Sequence, residues 1–116
     1  MPNYGGSLDR VFQALADGTR RAIVERLIRG PVSVGELARP LEMSLSAVMQ
    51  HIQVLEACGL VGSEKTGRVR TCRIEPDALR TAEGWLVEQR SSWERRLDRL
   101  GDHLLDDPGT PERESL

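Results

Sequence analysis

From Ser33 to Ile74 the chain reads, without interruption, as a helix, a tight turn, a second helix and a short basic hairpin. Ser33 followed three residues later by Glu36 is a capping box, which starts the first of these helices. Pro40 breaks its pattern and keeps it short. Ser44 caps the next helix, whose Leu45, Val48, Ile52 and Leu55 recur at helical spacing and predict one inner face. Gly59 ends it. Val61 to Lys65 and Arg68 to Ile74 are extended runs joined at Thr66-Gly67, a hairpin signal.

That order of elements is a winged helix-turn-helix. It predicts a mainly α fold with a small β-hairpin and about five helices, and the flanking segments supply the rest. Residues 1–7 carry Pro, Asn, two Gly and Ser, and are expected to be a flexible N-terminal arm. Leu8, Val11, Phe12 and Leu15 form one apolar helical stripe. Asp17 reads as the N-cap of a second helix, with Ala22, Ile23, Leu27 and Ile28 at helical spacing and Gly30-Pro31 as its stop. Pro76 suits the first turn of a last helix, because its missing N–H has no helical partner there. The winged domain is therefore expected over residues 8–105, with the last helix over about 76–105. Residues 106–116 hold two Pro, a Gly and several acids without an apolar period, and are expected to be a disordered acidic tail.

A helix enters the major groove of duplex DNA only if one face packs and the other offers hydrogen-bonding groups to base edges. The helix after Ser44 meets both conditions. Opposite its apolar stripe lie Ser46, Met49, Gln50 and Gln53, with Ser44 at the N-terminal end and His51 to one side. Gln50 is the best candidate for direct base reading, since a glutamine amide can bond adenine at two points. Ser44 and Ser46 suit phosphate or a base, His51 suits phosphate, and Gln53 is the weaker candidate. A polar face on a lone amphipathic helix is ordinarily just solvated. The helix before it and the basic hairpin after it turn the balance toward DNA. On the hairpin, Lys65, Arg68 and Arg70 are candidates for the phosphate backbone. Arg68 and Arg70 lie nearest the tip, and Arg73 reads as structural or peripheral. Basic residues also protect strand edges from aggregation, which is the competing explanation for the same charges.

A net charge of −2 is compatible with this reading because of its distribution. Residues 18–73 hold nine Lys/Arg and five Asp/Glu, a balance of +4, whereas residues 101–116 hold one Arg and five acids, a balance of −4. Local field, not total charge, is what a polyanion meets. No apolar run approaches the ~20 residues that span a bilayer, and the first ten residues lack a signal-peptide pattern. A cytoplasmic protein with reduced thiols is expected. Two cysteines, Cys58 and Cys72, are too few for a disulfide framework. There is no nucleophile–base constellation, phosphate-binding glycine loop or paired carboxylate on a structured element, so an enzyme is not expected. Tyr4, Phe12, Trp85 and Trp93 all lie outside the polar surface, which argues against base-stacking single-strand modules.

In the last helix Leu79, Leu86, Trp93 and Leu100 are each seven apart, and Leu97 and Leu104 form a second row displaced by four. Such a two-row seam pairs helices between copies. A homodimer interface is expected at Leu86, Trp93, Leu97, Leu100 and Leu104. The earlier part of the helix, with Ala78, Ala82 and Trp85, is expected to pack on its own core.

The strings VFQALADGTRRAIVERL, PVSVGELA, MSLSAVMQHIQVLEACGLV and EKTGRVRTCRI resemble ArsR-type bacterial transcriptional regulators over roughly residues 8–105. The resemblance implies a homodimeric winged-helix repressor acting on an imperfect inverted repeat. The helix matching Ser44–Ala57 would read the major groove, and the hairpin matching Gly62–Ile74 would be the wing. It also implies that helix one joins the interface, through Phe12. Gly18, Met49, Gln50 and Cys72 depart from the common pattern, and Met49 and Gln50 bear on the operator sequence. Many relatives sense metals through Cys pairs in the third helix or His/Asp/Glu sets in the last. Here the third helix has no Cys and the last offers only His103 beside Asp102, Asp106 and Asp107, so no metal or cofactor is expected and the effector is open. Two alternatives stand beside the repressor: a metal- or thiol-responsive sensor of the same fold, and a winged helix serving only protein–protein interaction.

Overall fold

The computed structural model describes residues 4–106, with side chains from 7 to 105. The tail expected at 106–116 lies outside the described residues apart from the backbone of Asp106, which closes the last helix. The elements are α1 (Tyr4–Leu15), α2 (Gly18–Ile28), β1 (Val32–Ser33), α3 (Val34–Leu41), α4 (Leu45–Ala57), β2 (Val61–Thr66), β3 (Val69–Ile74) and α5 (Pro76–Asp106). Among the described residues, five helices and a small antiparallel sheet make the winged helix-turn-helix predicted from the sequence.

The capping chemistry acts as predicted. Asp17 Oδ1 accepts the Arg20 N–H at 3.0 Å, Ser33 Oγ accepts the Glu36 N–H at 3.2 Å, and Ser44 Oγ accepts the Ala47 N–H at 3.1 Å. Each satisfies a helix-start donor that has no partner within the helix. At Ser33 the box is not reciprocal through the backbone, since the hydroxyl donates to Glu36 Oε1 at 3.3 Å. At the end of α4, Gly59 takes a left-handed φ of 82°. Its N–H bonds the Glu56 carbonyl and the Leu60 N–H bonds the Leu55 carbonyl, both at 3.0 Å, a Schellman stop. That turn drops Leu60 and Val61 into the core.

Three local readings are corrected. Helix α1 begins at Tyr4, inside the segment read as a loose arm. Pro40 does not break α3 but sits inside its last turn; the helix ends one residue later, where Glu42 turns left-handed at φ 55° and ψ 40°. The hairpin is also part of a larger sheet. Strand β1 pairs with β3 through Val32↔Cys72 and Ser33↔Thr71, giving three strands in the order β1-β3-β2. A two-residue strand has no alternation to detect, and it exists only because β3 lies beside it.

The described residues fall into two compact units, one up to Ala82 and one from Glu83. The first has a single apolar core, with Val11, Ile23, Leu27, Leu37, Val48, Ile52, Leu55, Leu60 and Cys72 fully enclosed. Ala82 is buried in it, with Ala78 and Leu79 packed against it, as expected for the start of α5. In the second unit α5 continues with Leu86, Trp93, Leu97, Leu100 and Leu104 all exposed. Trp85, expected to pack, is 43% exposed.

Candidate nucleic-acid interface

Helix α4 divides cleanly along its length. Val48, Ile52 and Leu55 are 0% exposed, while Ser44, Ser46, Gln50 and Gln53 are exposed. Two flanking residues depart from the periodic reading. Leu45, expected inside, is 57% exposed, and Met49, expected on the polar surface, is half-buried against the core. The buried stripe therefore shifts toward Met49. Leu45, in the first turn, has no preceding turn of its own helix to shelter it.

The side chains differ in how far they are committed. The Ser44 hydroxyl is engaged as the cap and lies 3.5 Å from the Ser46 hydroxyl. His51 is half-buried beside Arg20, whose Nη1 donates to its Nδ1 at 3.4 Å. A guanidinium has no acceptor, so Nδ1 accepts, and a neutral ring then carries its proton on Nε2. Arg20 also donates from Nε to the Ala14 carbonyl at 2.7 Å and from Nη2 to the Gln13 carbonyl at 3.3 Å. One guanidinium thus satisfies the last carbonyls of α1 and holds the histidine of α4. Its neighbour Arg21 caps the Leu15 carbonyl at 2.8 Å. Sequence reasoning missed both arginines, because their partners are carbonyls and a histidine 31 residues away.

The wing turns at Gly67, whose φ of 65° sits at the first central position between the paired Thr66 and Val69. Arg68 takes the second position with negative φ, an arrangement that glycine in the first position allows. In the ladder Val61↔Ile74, Ser63↔Cys72 and Lys65↔Arg70 share one face, since side chains alternate along a strand. Val61 and Cys72 on that face are buried, so Lys65 and Arg70 continue the core-facing side outward past the edge of the core. Two cations directly opposite each other oppose strand pairing.

Arg70 is not a loose charge. Its Nη1 donates to Ser63 Oγ at 2.9 Å, and Ser63 Oγ donates to Glu56 Oε2 of α4 at 2.9 Å. This relay ties the wing to the C-terminal end of α4, and it too was invisible to pattern reading. Arg73 lies on the opposite face and pairs with Glu75 at 2.8 Å and Glu64 at 3.4 Å, within the structural or peripheral role expected of it. Lys65 and Arg68 are exposed. The sequence-predicted candidates thus divide between an exposed group, Ser46, Gln50, Gln53, Lys65 and Arg68, and a group held by internal bonds, Ser44, His51 and Arg70.

Burial pushes the Cys72 thiol up from its ordinary range, with the Glu56 carboxylate adding to the effect. Cys58 is half-buried and its Sγ donates to the Leu55 carbonyl at 3.3 Å. Among the described residues no group of three or more His, Cys, Asp or Glu is arranged to hold a metal ion, and no helix is long and apolar enough to cross a membrane. On α1, Phe12 is 38% exposed.

A family model described as a helix-turn-helix domain matches residues 15–63. The HTH-type transcriptional regulator Rv2034 of Mycobacterium tuberculosis is 55% identical over 73 residues, covering 63% of this chain and 68% of the relative. The crystal structure of the ArsR family transcriptional regulator RHA00566 matches with a TM-score of 0.75 at 50% identity, covering 81% of this chain and 97% of that one. The solution structure of the homodimeric winged helix-turn-helix DNA-binding domain of Mb0332 from Mycobacterium bovis matches with a TM-score of 0.60 at 30% identity, covering 74% of this chain and 82% of that one.

Proposed function

The chain belongs to the ArsR family of transcriptional regulators, and from that premise we propose that it is a homodimeric repressor that grips an inverted-repeat operator in duplex DNA. The observation that carries the reading is the division of α4: three side chains at 0% exposure hold one face inside, and a rim of Ser46, Gln50 and Gln53 is left outside. The wing supports it, since Lys65 and Arg70 oppose each other at a cost to the ladder that an anionic partner relieves.

Gln50 reads a base, with Ser46 and Gln53 beside it. Lys65, Arg68 and Arg70 contact phosphates. Ser44 and His51 serve as fixed donors at the edge, the imidazole through Nε2. Dimerisation is through Leu86, Trp93, Leu97, Leu100 and Leu104, with Phe12 contributing. Leaving Trp93 at 58% exposure is unfavourable in water, and covering it in a dimer contributes about 2 kcal/mol per copy. A twofold dimer sets its recognition helices about 34 Å apart, one turn of DNA. The protein acts in the cytoplasm, where its DNA lies.

The test is binding of the full chain to the promoter region of its own gene, followed through a salt titration. A phosphate-gripping protein weakens steeply with salt. Gln50→Ala relaxes base preference while Arg68→Ala weakens all sequences alike and lowers the salt slope by about one. Parent-like binding by both variants overturns the residue assignment, and salt-insensitive or absent binding overturns the DNA reading in favour of a protein-interaction module.

A further inference from the structure

Leu45 is a large apolar side chain held out of the core at the first turn of α4, 57% exposed between the exposed Ser44 and Ser46. Periodicity alone places it with Val48, Ile52 and Leu55, yet those three are fully enclosed and Leu45 is not. At 3.6 residues per turn it lies on the border between the buried stripe and the arc that carries Ser46, Gln53 and Gln50. Met49, one turn on, fills the adjoining gap against the core.

The N-terminal residues of a recognition helix are the ones that reach base edges. A leucine there can neither donate nor accept a hydrogen bond. On the major-groove edge of the four base pairs, the apolar group on offer is the C5-methyl of thymine; the other groups are donors or acceptors. We propose that Leu45 is a specificity-determining residue that recognises thymine by burying its 5-methyl group, once in each half-site. This rests on the DNA-binding reading above and assigns it a base that the amides and hydroxyls of the rim do not select. A polar base edge against Leu45 leaves its donor or acceptor without a partner, so the same contact rejects cytosine, adenine and guanine.

The full chain is first used to select its preferred duplex from a random pool. Each thymine of the selected half-site is then replaced singly by deoxyuridine, which removes the methyl and keeps every hydrogen-bonding group. Losing one buried methyl is expected to weaken the parent about fourfold at one thymine per half-site. Leu45→Ala is expected to bind the thymine and deoxyuridine duplexes equally, and Leu45→Met, which keeps an apolar tip, to restore the preference. The proposal is overturned if no thymine responds in the parent, or if the response survives in Leu45→Ala. Failure to select any sequence overturns the DNA-binding reading itself and this proposal with it. A selected operator with unresponsive thymines overturns the proposal alone.

Discussion

Glu42 is the one non-glycine residue with positive φ among the described residues, and it sits in the turn that sets α4 against α3. An L-residue in the left-handed region costs roughly 1–2 kcal/mol, because Cβ crowds the following carbonyl. Its side chain is exposed, so replacing it removes no packing. Glycine removes the crowding but returns roughly 0.5–1 kcal/mol as extra freedom in the unfolded chain. Glu42→Gly is therefore expected to stabilise the protein by about 0.5–1 kcal/mol, a rise of roughly 2–5 °C in Tm. Glu42→Ala keeps the Cβ and the crowding, and is expected to stay near the parent; Glu42→Asn, which tolerates this region better, falls between. The assay is urea unfolding of all four proteins at one protein concentration, because the proposed self-association would make apparent stability concentration-dependent. Glycine at or below alanine in stability would refute the reasoning, since strain at Cβ would then not be what separates them.

Three further outcomes follow from the same geometry. Ser63→Ala removes the hydroxyl between Arg70 and Glu56; stability falls by about 1–2 kcal/mol and DNA affinity falls several-fold, both recovered by Ser63→Thr, in paired unfolding and gel-shift measurements. Asp17 is held below its ordinary pKa of 3.8, chiefly by accepting the Arg20 N–H. Its depressed folded value stabilises the fold above the unfolded value and loses that effect as pH falls through it. Stability between pH 5 and 3 should thus fall more steeply in the parent than in Asp17→Asn, which still caps. The folded protein should take up iodoacetamide at Cys58 well before Cys72, read by mass spectrometry; equal rates would contradict the enclosed position of Cys72.

What the sequence made legible was whatever acts over a few residues. The caps at Asp17, Ser33 and Ser44, the stop at Gly59, the turn at Gly67 and the start at Pro76 are all decided by local backbone chemistry, and the elements follow from them. Periodicity identified Val48, Ile52 and Leu55 but not Leu45, since a stripe's border depends on what the neighbouring elements cover. Strand β1 pairs with a residue 40 positions on, Val32 with Cys72, and carries no pattern of its own. The bonds from Arg20 to His51 and from Arg70 through Ser63 to Glu56 likewise join elements that only the fold brings together. At the site, the rim of α4 was readable as residue types, while the difference between exposed groups and those held by internal bonds was not. Glu42 shows the opposite limit: the backbone demands a left-handed residue where no glycine signals it.

The opposed cations of the wing also bear on how this protein would drift under selection for robustness alone. Lys65 and Arg70 face each other across the ladder, so an acidic replacement at Lys65 would turn repulsion into attraction and raise the melting point of the isolated protein. The same replacement would remove the phosphate contact proposed for Lys65 and add a repulsion toward DNA. A screen for heat tolerance that omits nucleic acid would therefore enrich variants that survive longer and regulate less.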